Sequence, residues 1–194
     1  MMSIAVIKYN AGNIRSVQIA LDRLGVSSVV TDDPEIIRSA EKVIFPGVGE
    51  ASSAMKYLKE RKLDELILSL KQPVLGICLG LQLMCSYTEE ADTSCLGIFE
   101  NRVIRFPEKD KVPHMGWNSI SGLKGPLFKA IAEDSHVYFV HSYAAIPGVD
   151  QIAGTEYIIP FASALQKDNF YATQFHPEKS GDIGQQILKN FIEL

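Results

Sequence analysis

Cysteine is scarce in this chain, with three among 194 residues, at positions 78, 85 and 95. An odd count with neither a C-x-x-C nor a paired zinc-like spacing excludes a disulfide scaffold and a cysteine-built metal site, and fits a reducing compartment. Long apolar runs are also missing. The longest uncharged stretch, Gln72 to Thr88, is interrupted by Pro73, Gly76, Gly80 and Gln82, and falls short of the ~20 apolar residues that a membrane span needs. Positive charge is not in excess: 19 Lys and Arg against 23 Asp and Glu leave a formal charge of −4, which offers no footprint for nucleic acid or an anionic membrane. No basic n-region or small-residue cleavage site accompanies the apolar Ile4–Ile7, so the N-terminus reads as a first strand and the protein as cytoplasmic. Repeats, low-complexity tracts and linkers are lacking, and the length suits one domain over residues 1–194.

What is present alternates. Ile4–Ile7 ends at Asn10-Ala11-Gly12-Asn13, and Val17, Ala20, Leu21 and Leu24 then recur at helical spacing up to Gly25. Val26 to Val30 reads as a strand, Pro34 opens a short helix, and Val43–Phe45 is a strand that stops at Pro46-Gly47-Val48-Gly49. Ala51 to Leu70 is helical with a break near Arg61, and Val74–Ile77 is a buried parallel strand. From Ile98 the pattern turns to short strands at Asn101–Phe106, Val137–His141, Ile152–Glu156, Ala162–Gln166 and Phe170–Phe175, before an amphipathic helix carrying Ile183, Ile187, Leu188 and Phe191. The fold class expected is α/β, with an open, mainly parallel central sheet, helices on both faces and antiparallel additions in the C-terminal half.

The sharpest chemical feature is Gly76-Ile77-Cys78-Leu79-Gly80, a cysteine between glycines where a strand meets a helix. Such a nucleophile elbow leaves the side chain exposed, sets the thiolate at a helix N-terminus and turns the Leu79 N–H toward a forming oxyanion. A buried structural cysteine in a glycine-rich turn would look the same. Gln174-Phe175-His176-Pro177-Glu178 adds a histidine and a carboxylate two residues apart. Cys78, His176 and Glu178 thus have the residue types of nucleophile, base and orienting acid, whereas His114, His136 and His141 read as structural or surface residues. No metal-ligand or cofactor motif is seen, and no Gly-rich phosphate loop with a lysine opens a helix.

The elbow cysteine, the distant His-x-Glu, the early Pro-Gly-Val-Gly turn and Gln82 together resemble the class I, triad-type glutamine amidotransferases over nearly the whole chain. Within that family, Tyr9–Asn13, Pro46–Gly49, Pro113-His114-Met115-Gly116-Trp117-Asn118 and Tyr138–Tyr143 are similar to the glutaminases that serve a (β/α)8-barrel cyclase in histidine biosynthesis. An aromatic loop over the core is the plain alternative for the Trp117 stretch.

The resemblance implies that Cys78 attacks the amide of L-glutamine, that His176 is base and then acid, and that Glu178 orients His176. It implies oxyanion contacts from the backbone at Gly47, Val48 and Leu79, and glutamine contacts from Gln82, Glu90, Ser142 and Tyr143, although an acid in the Glu89-Glu90 pair could equally be a solvated surface group. It places Asn13, Trp117, Tyr138 and Lys179 against the cyclase, in a heterodimer where ammonia passes directly to the partner, which forms imidazole glycerol phosphate and aminoimidazole carboxamide ribotide. The oxyanion turn is expected to be able to present a carbonyl instead of an N–H until the partner is loaded. The sequence departs from the family at Lys8, where aspartate is common, and at Asn10, where glycine is common; both bear on the N-terminal loop and not on the triad. Cys95 is expected to be a small buried side chain. Three other readings compete: a glutaminase for another synthase, a stand-alone cysteine γ-glutamyl or peptide hydrolase, and a binding module with an inert triad.

Overall fold

The computed structural model describes residues 3–10 and 12–194; Met1 and Met2 ahead of the expected first strand, and Ala11 of the expected turn, lie outside the described residues. The first half alternates as its apolar periods dictate: β1 (Ile4–Ile7), α1 (Ile14–Arg23), β2 (Ser28–Thr31), α2 (Pro34–Ser39), β3 (Lys42–Phe45), α3 (Ala51–Glu60), α4 (Leu63–Ser69), β4 (Val74–Ile77) and α5 (Leu79–Met84). The second half holds β5 (Tyr87–Thr88), β6 (Thr93–Ser94), β7 (Arg102–Arg105), β8 (His114–Ile120), β9 (Ser135–His141), β10 (Tyr143–Ala145), β11 (Gln151–Tyr157), β12 (Ile159–Lys167), β13 (Phe170–Thr173) and the closing helix α6 (Gly181–Ile192).

Local chemistry sets the helix ends. Asp33 accepts from the N–H groups of Glu35 and Ile36 at 2.8 and 3.4 Å, and Pro34 fills the first helical position, where no N–H is needed. Glu50 caps α3 by accepting from Ser52 and Ser53 at 2.9 and 2.8 Å, and those hydrogen bonds hold its carboxyl at about 2. Lys62, in the left-handed region at φ 55, divides the long apolar period into α3 and α4.

Among the described residues the principal sheet has seven strands in the order β11-β12-β13-β4-β3-β1-β2. Neighbours from β2 across to β13 pair parallel, and β12 and β11 add on antiparallel. Strand β1 is buried on both faces: Ile4 and Val6 join a core under α1 and α6, while Ala5 and Ile7 join the opposite core under α3 and α4. That two-sided burial is why the parallel strands read as continuous apolar runs rather than alternating ones.

Three expectations need correction. The last strand is not an antiparallel addition: β13 lies parallel to β4, with Phe170 opposite Val74 and Thr173 opposite Ile77, and it ends before Phe175. The Trp117 stretch is not a loop, because β8 pairs antiparallel with β9 in a separate two-stranded sheet. Strands β10, β7, β5 and β6 form a further small sheet instead of extending the main one.

Candidate active site

In an open parallel sheet the crevice beyond the carboxyl ends of the strands is where ligands bind. Here the loops after β1, β3, β4 and β13 leave from those ends, carrying Tyr9–Asn13, Pro46–Gly49, Cys78 and Gln174–Ser180.

Cys78 stands between β4 and α5 at φ 54 and ψ −103, a conformation costly for a residue with a Cβ. Its N–H donates to Thr173 O on β13 at 2.8 Å, which pins the elbow. The flanking glycines have steric reasons: a Cβ on Gly76 would lie 2.9 Å from Met84 Sδ, and one on Gly80 would lie 2.0 Å from the Phe45 carbonyl oxygen. The thiol is buried, at 6% exposure, rather than exposed as expected of an elbow. Gln174 Nε2 donates to Sγ at 3.7 Å, and Sγ lies 3.9 Å from Val140 O.

His176 and Glu178 meet as the sequence suggests. Nδ1 lies 2.8 Å from Glu178 Oε1, and neither side chain is exposed. A carboxylate only accepts, so Nδ1 carries the proton and Nε2 is left as the basic nitrogen; Nε2 is buried and makes no hydrogen bond. Burial alone would lower the imidazole, but Cys78 beside it and the Glu178 carboxylate outweigh that and raise it well above the ordinary range. The backbone is fixed as well: His176 N donates to Tyr138 O at 2.9 Å, and the Ser180 hydroxyl donates to His176 O at 2.6 Å. Asn13, expected at the partner surface, points its side-chain amide at Glu178 Oε1.

Next to Cys78 lies a cavity of about 180 Å³ lined by Val48, Gly49, Leu79, Gln82, Glu90, Val140, His141, Ser142 and Tyr143. All four expected glutamine contacts are among these. Glu90 is no solvated surface acid: its Oε2 accepts from Ala51 N at 2.8 Å, and burial raises its carboxyl. The Gln82 amide donates to Tyr143 O at 3.0 Å and to Gln174 Oε1 at 3.1 Å. Where the oxyanion contacts are expected, Leu79 N donates to Gly47 O at 3.2 Å, so a carbonyl stands where a second donor was expected.

Trp117 and Tyr138 lie across from each other in the β8–β9 register, with ring centroids 6.0 Å apart. Trp117 and Met115 are exposed apolar side chains, and Lys179 is exposed nearby in the chain turn after His176. This apolar face lies apart from the cavity lining. Cys95 is half-buried rather than buried. Sequence reasoning missed Gln174 and His141 at the site. Gln174 directly follows β13 beside the His176 turn, and that position on an apolar run was the available signal.

A family model described as glutamine amidotransferase class-I matches residues 6–194. The chain is 62% identical to the imidazole glycerol phosphate synthase subunit HisH of Bacteroides fragilis and 59% identical to that of Bacteroides thetaiotaomicron, each over 100% of both chains. A solved glutamine amidotransferase structure, 18% identical and covering 97% of each chain, superposes with a TM-score of 0.76, which bears on the fold alone.

Proposed function

The chain belongs to the class-I glutamine amidotransferases, and we propose that it is the glutaminase subunit of an imidazole glycerol phosphate synthase, a single domain over residues 1–194 acting in the cytoplasm beside a (β/α)8-barrel cyclase. The name carried by relatives about 60% identical to it supports this reading. The observation that carries the chemistry is the strained, buried Cys78 at the mouth of a cavity near a histidine whose Nδ1 is committed to Glu178.

In the proposed reaction the Cys78 thiol gives its proton to His176 Nε2, Sγ attacks the side-chain carbonyl carbon of glutamine, and the carbonyl oxygen takes the charge. His176 Nε2 gives a proton to the leaving nitrogen, the C–N bond breaks, and ammonia departs from a γ-glutamyl thioester. Water, deprotonated by the same Nε2, then adds to the thioester; glutamate leaves and the thiolate returns. Glu178 keeps the imidazole in the tautomer both steps need. In this reading Glu90 meets the substrate ammonium, a role supported by its sharing one cavity lining with Gln82, Ser142 and Tyr143. Ammonia released into neutral water would be protonated and lose its nucleophilicity, which is the physical reason for handing it directly to a partner. Trp117, Tyr138 and Lys179 are the proposed docking residues, with Met115 beside them and Asn13 at the edge of the triad.

The resting geometry supports control by that partner. Gly47 O and Val48 N belong to one peptide unit, so turning that unit over would replace the carbonyl facing Leu79 by an N–H and complete a two-donor oxyanion hole. Its neighbours are tethered: the Tyr9 hydroxyl donates to Pro46 O at 2.6 Å and Gly12 N donates to Val48 O at 3.1 Å. Glutamate release should be measured for the chain alone and with a barrel cyclase and its nucleotide ligand, for wild type and Cys78→Ala. Stimulation that disappears with Cys78 is expected; equal turnover without a partner would mean a stand-alone hydrolase.

A further inference from the structure

His114 on β8 and His141 on β9 are direct cross-strand partners, both buried, and neither has a part in the mechanism above. For neutral rings their hydrogen bonds can be oriented from the Tyr143 carbonyl outward. His141 Nδ1 lies 2.7 Å from the Tyr143 carbonyl, which only accepts, so Nδ1 carries the hydrogen. A neutral ring then has Nε2 as acceptor, and His114 Nδ1 at 3.2 Å must donate to it. That leaves His114 Nε2 as an acceptor, and Asn118 Nδ2 stands 3.4 Å away as its donor. The string does not stop at Tyr143. The same carbonyl accepts from Gln82, whose amide also reaches Gln174, and Gln174 in turn donates to Cys78 Sγ.

We propose that His114 and His141 are positioning residues, a pair of neutral imidazoles in one donor direction that holds the Tyr143 carbonyl, and through Gln82 the glutamine seat, against the strand whose outer face bears Met115 and Trp117. The proposal rests on the glutaminase reading above. Protonating either ring would set one N–H against another and break the direction of the string. The surroundings keep both neutral: His114 is stacked 4.0 Å from Tyr157 and 4.9 Å from Phe139, and burial lowers it to about 4 and His141 to about 3. A buried polar string of this kind holds its members in place only while every member is satisfied.

Two measurements test it. In the imidazole ¹⁵N spectrum of the full chain at neutral pH, His114 and His141 should both appear neutral and protonated at Nδ1; a cation or an Nε2-protonated ring at either position would overturn the proposal. Labelling of Cys78 by the glutamine analogue 6-diazo-5-oxo-L-norleucine, in the complex with a barrel cyclase and its nucleotide ligand and followed by intact mass, gives a half-saturating concentration and a limiting rate. His114→Phe, which keeps an aromatic ring and removes both nitrogens, should raise the half-saturating concentration about tenfold, and His114→Asn, which keeps a donor near the Nδ1 position, should recover much of it. Equal losses in both variants, or an unchanged half-saturation, would make the pair mere packing and overturn the role. Should the phenyl variant not fold, the tautomers and the Asn variant decide. A wild type that takes no label overturns the glutaminase reading and this role together, and shows itself before any substitution is compared.

Discussion

The Tyr9 hydroxyl stands where a side chain on Gly47 would begin: a Cβ there would lie 2.0 Å from that oxygen and 3.1 Å from Leu79 Cβ. One glycine thus lets the turn after β3 pass under a buried tyrosine that is itself fastened to Pro46 O. Burial, and Cys78 after it, push the Tyr9 phenol well above its ordinary value, so it remains a donor at working pH.

Gly47→Ala should therefore displace the Tyr9 hydroxyl and leave a buried acceptor unpaired, a loss of about 1–3 kcal/mol. In a Tyr9→Phe background the same substitution should cost less, because the obstructing oxygen is gone. Urea unfolding of the two single variants and the double variant checks this, and simple additivity would show that the two residues do not share the space.

Gly80→Ala meets backbone rather than a movable side chain, with the Phe45 carbonyl oxygen 2.0 Å from the new Cβ. The elbow must open, and a loss of about 3 kcal/mol or more is expected. Gly97 is the control: it sits at φ +69 with no atom within 4 Å of a Cβ, so Gly97→Ala should cost only about 1–2 kcal/mol of backbone strain. Thermal or urea unfolding of both variants should rank them in that order.

Glu178→Gln preserves shape while removing the charge and allowing the amide to donate toward Nδ1, which favours the wrong imidazole tautomer. A drop of about 10²–10⁴-fold in kcat is expected with little change in KM. Steady-state glutamate release with the partner present reads it, and a variant within a few-fold of wild type would remove Glu178 from the triad.

Much of this was legible in the sequence because of two-sided burial. Strands β1, β3 and β4 lie between helical layers on both faces, so each appears as an unbroken apolar run with a glycine or proline signal beyond it. The spacing of Gly76 and Gly80 about Cys78 follows from steric needs, since a Cβ at either would meet Met84 or the Phe45 carbonyl. The same two-sided burial hid the direction of β13, since a strand buried on both faces carries no alternation to distinguish parallel from antiparallel pairing. Strand β8 was missed because His114, Gly116 and Asn118 face inward while Met115 and Trp117 face out, which inverts the usual reading of apolar as interior. Asn13 and Glu178 are 165 positions apart, and no local period announces that they touch.

The His114–His141 pair also makes a prediction for acid stability. Both rings have folded-state values below the ordinary 6.5, at about 4 and about 3, so the unfolded chain binds protons that the folded chain refuses. Stability from this source is complete above pH 6.5 and is lost as pH falls toward 4 and then 3, by up to ~1.4 kcal/mol per pH unit for each proton. His176 does not interfere there, because its raised value places its own contribution above pH 6.5, where it is lost as pH rises. Glu50, held at about 2, adds acid sensitivity only below its unfolded value of 4.5, while Glu90, raised by burial, works in the opposite direction just above 4.5. Comparison with His114→Phe cancels both carboxylates. Urea midpoints between pH 6.5 and 4.5 should fall more steeply for wild type than for the variant, and parallel curves would mean that His114 titrates no differently in the folded chain than in the unfolded one.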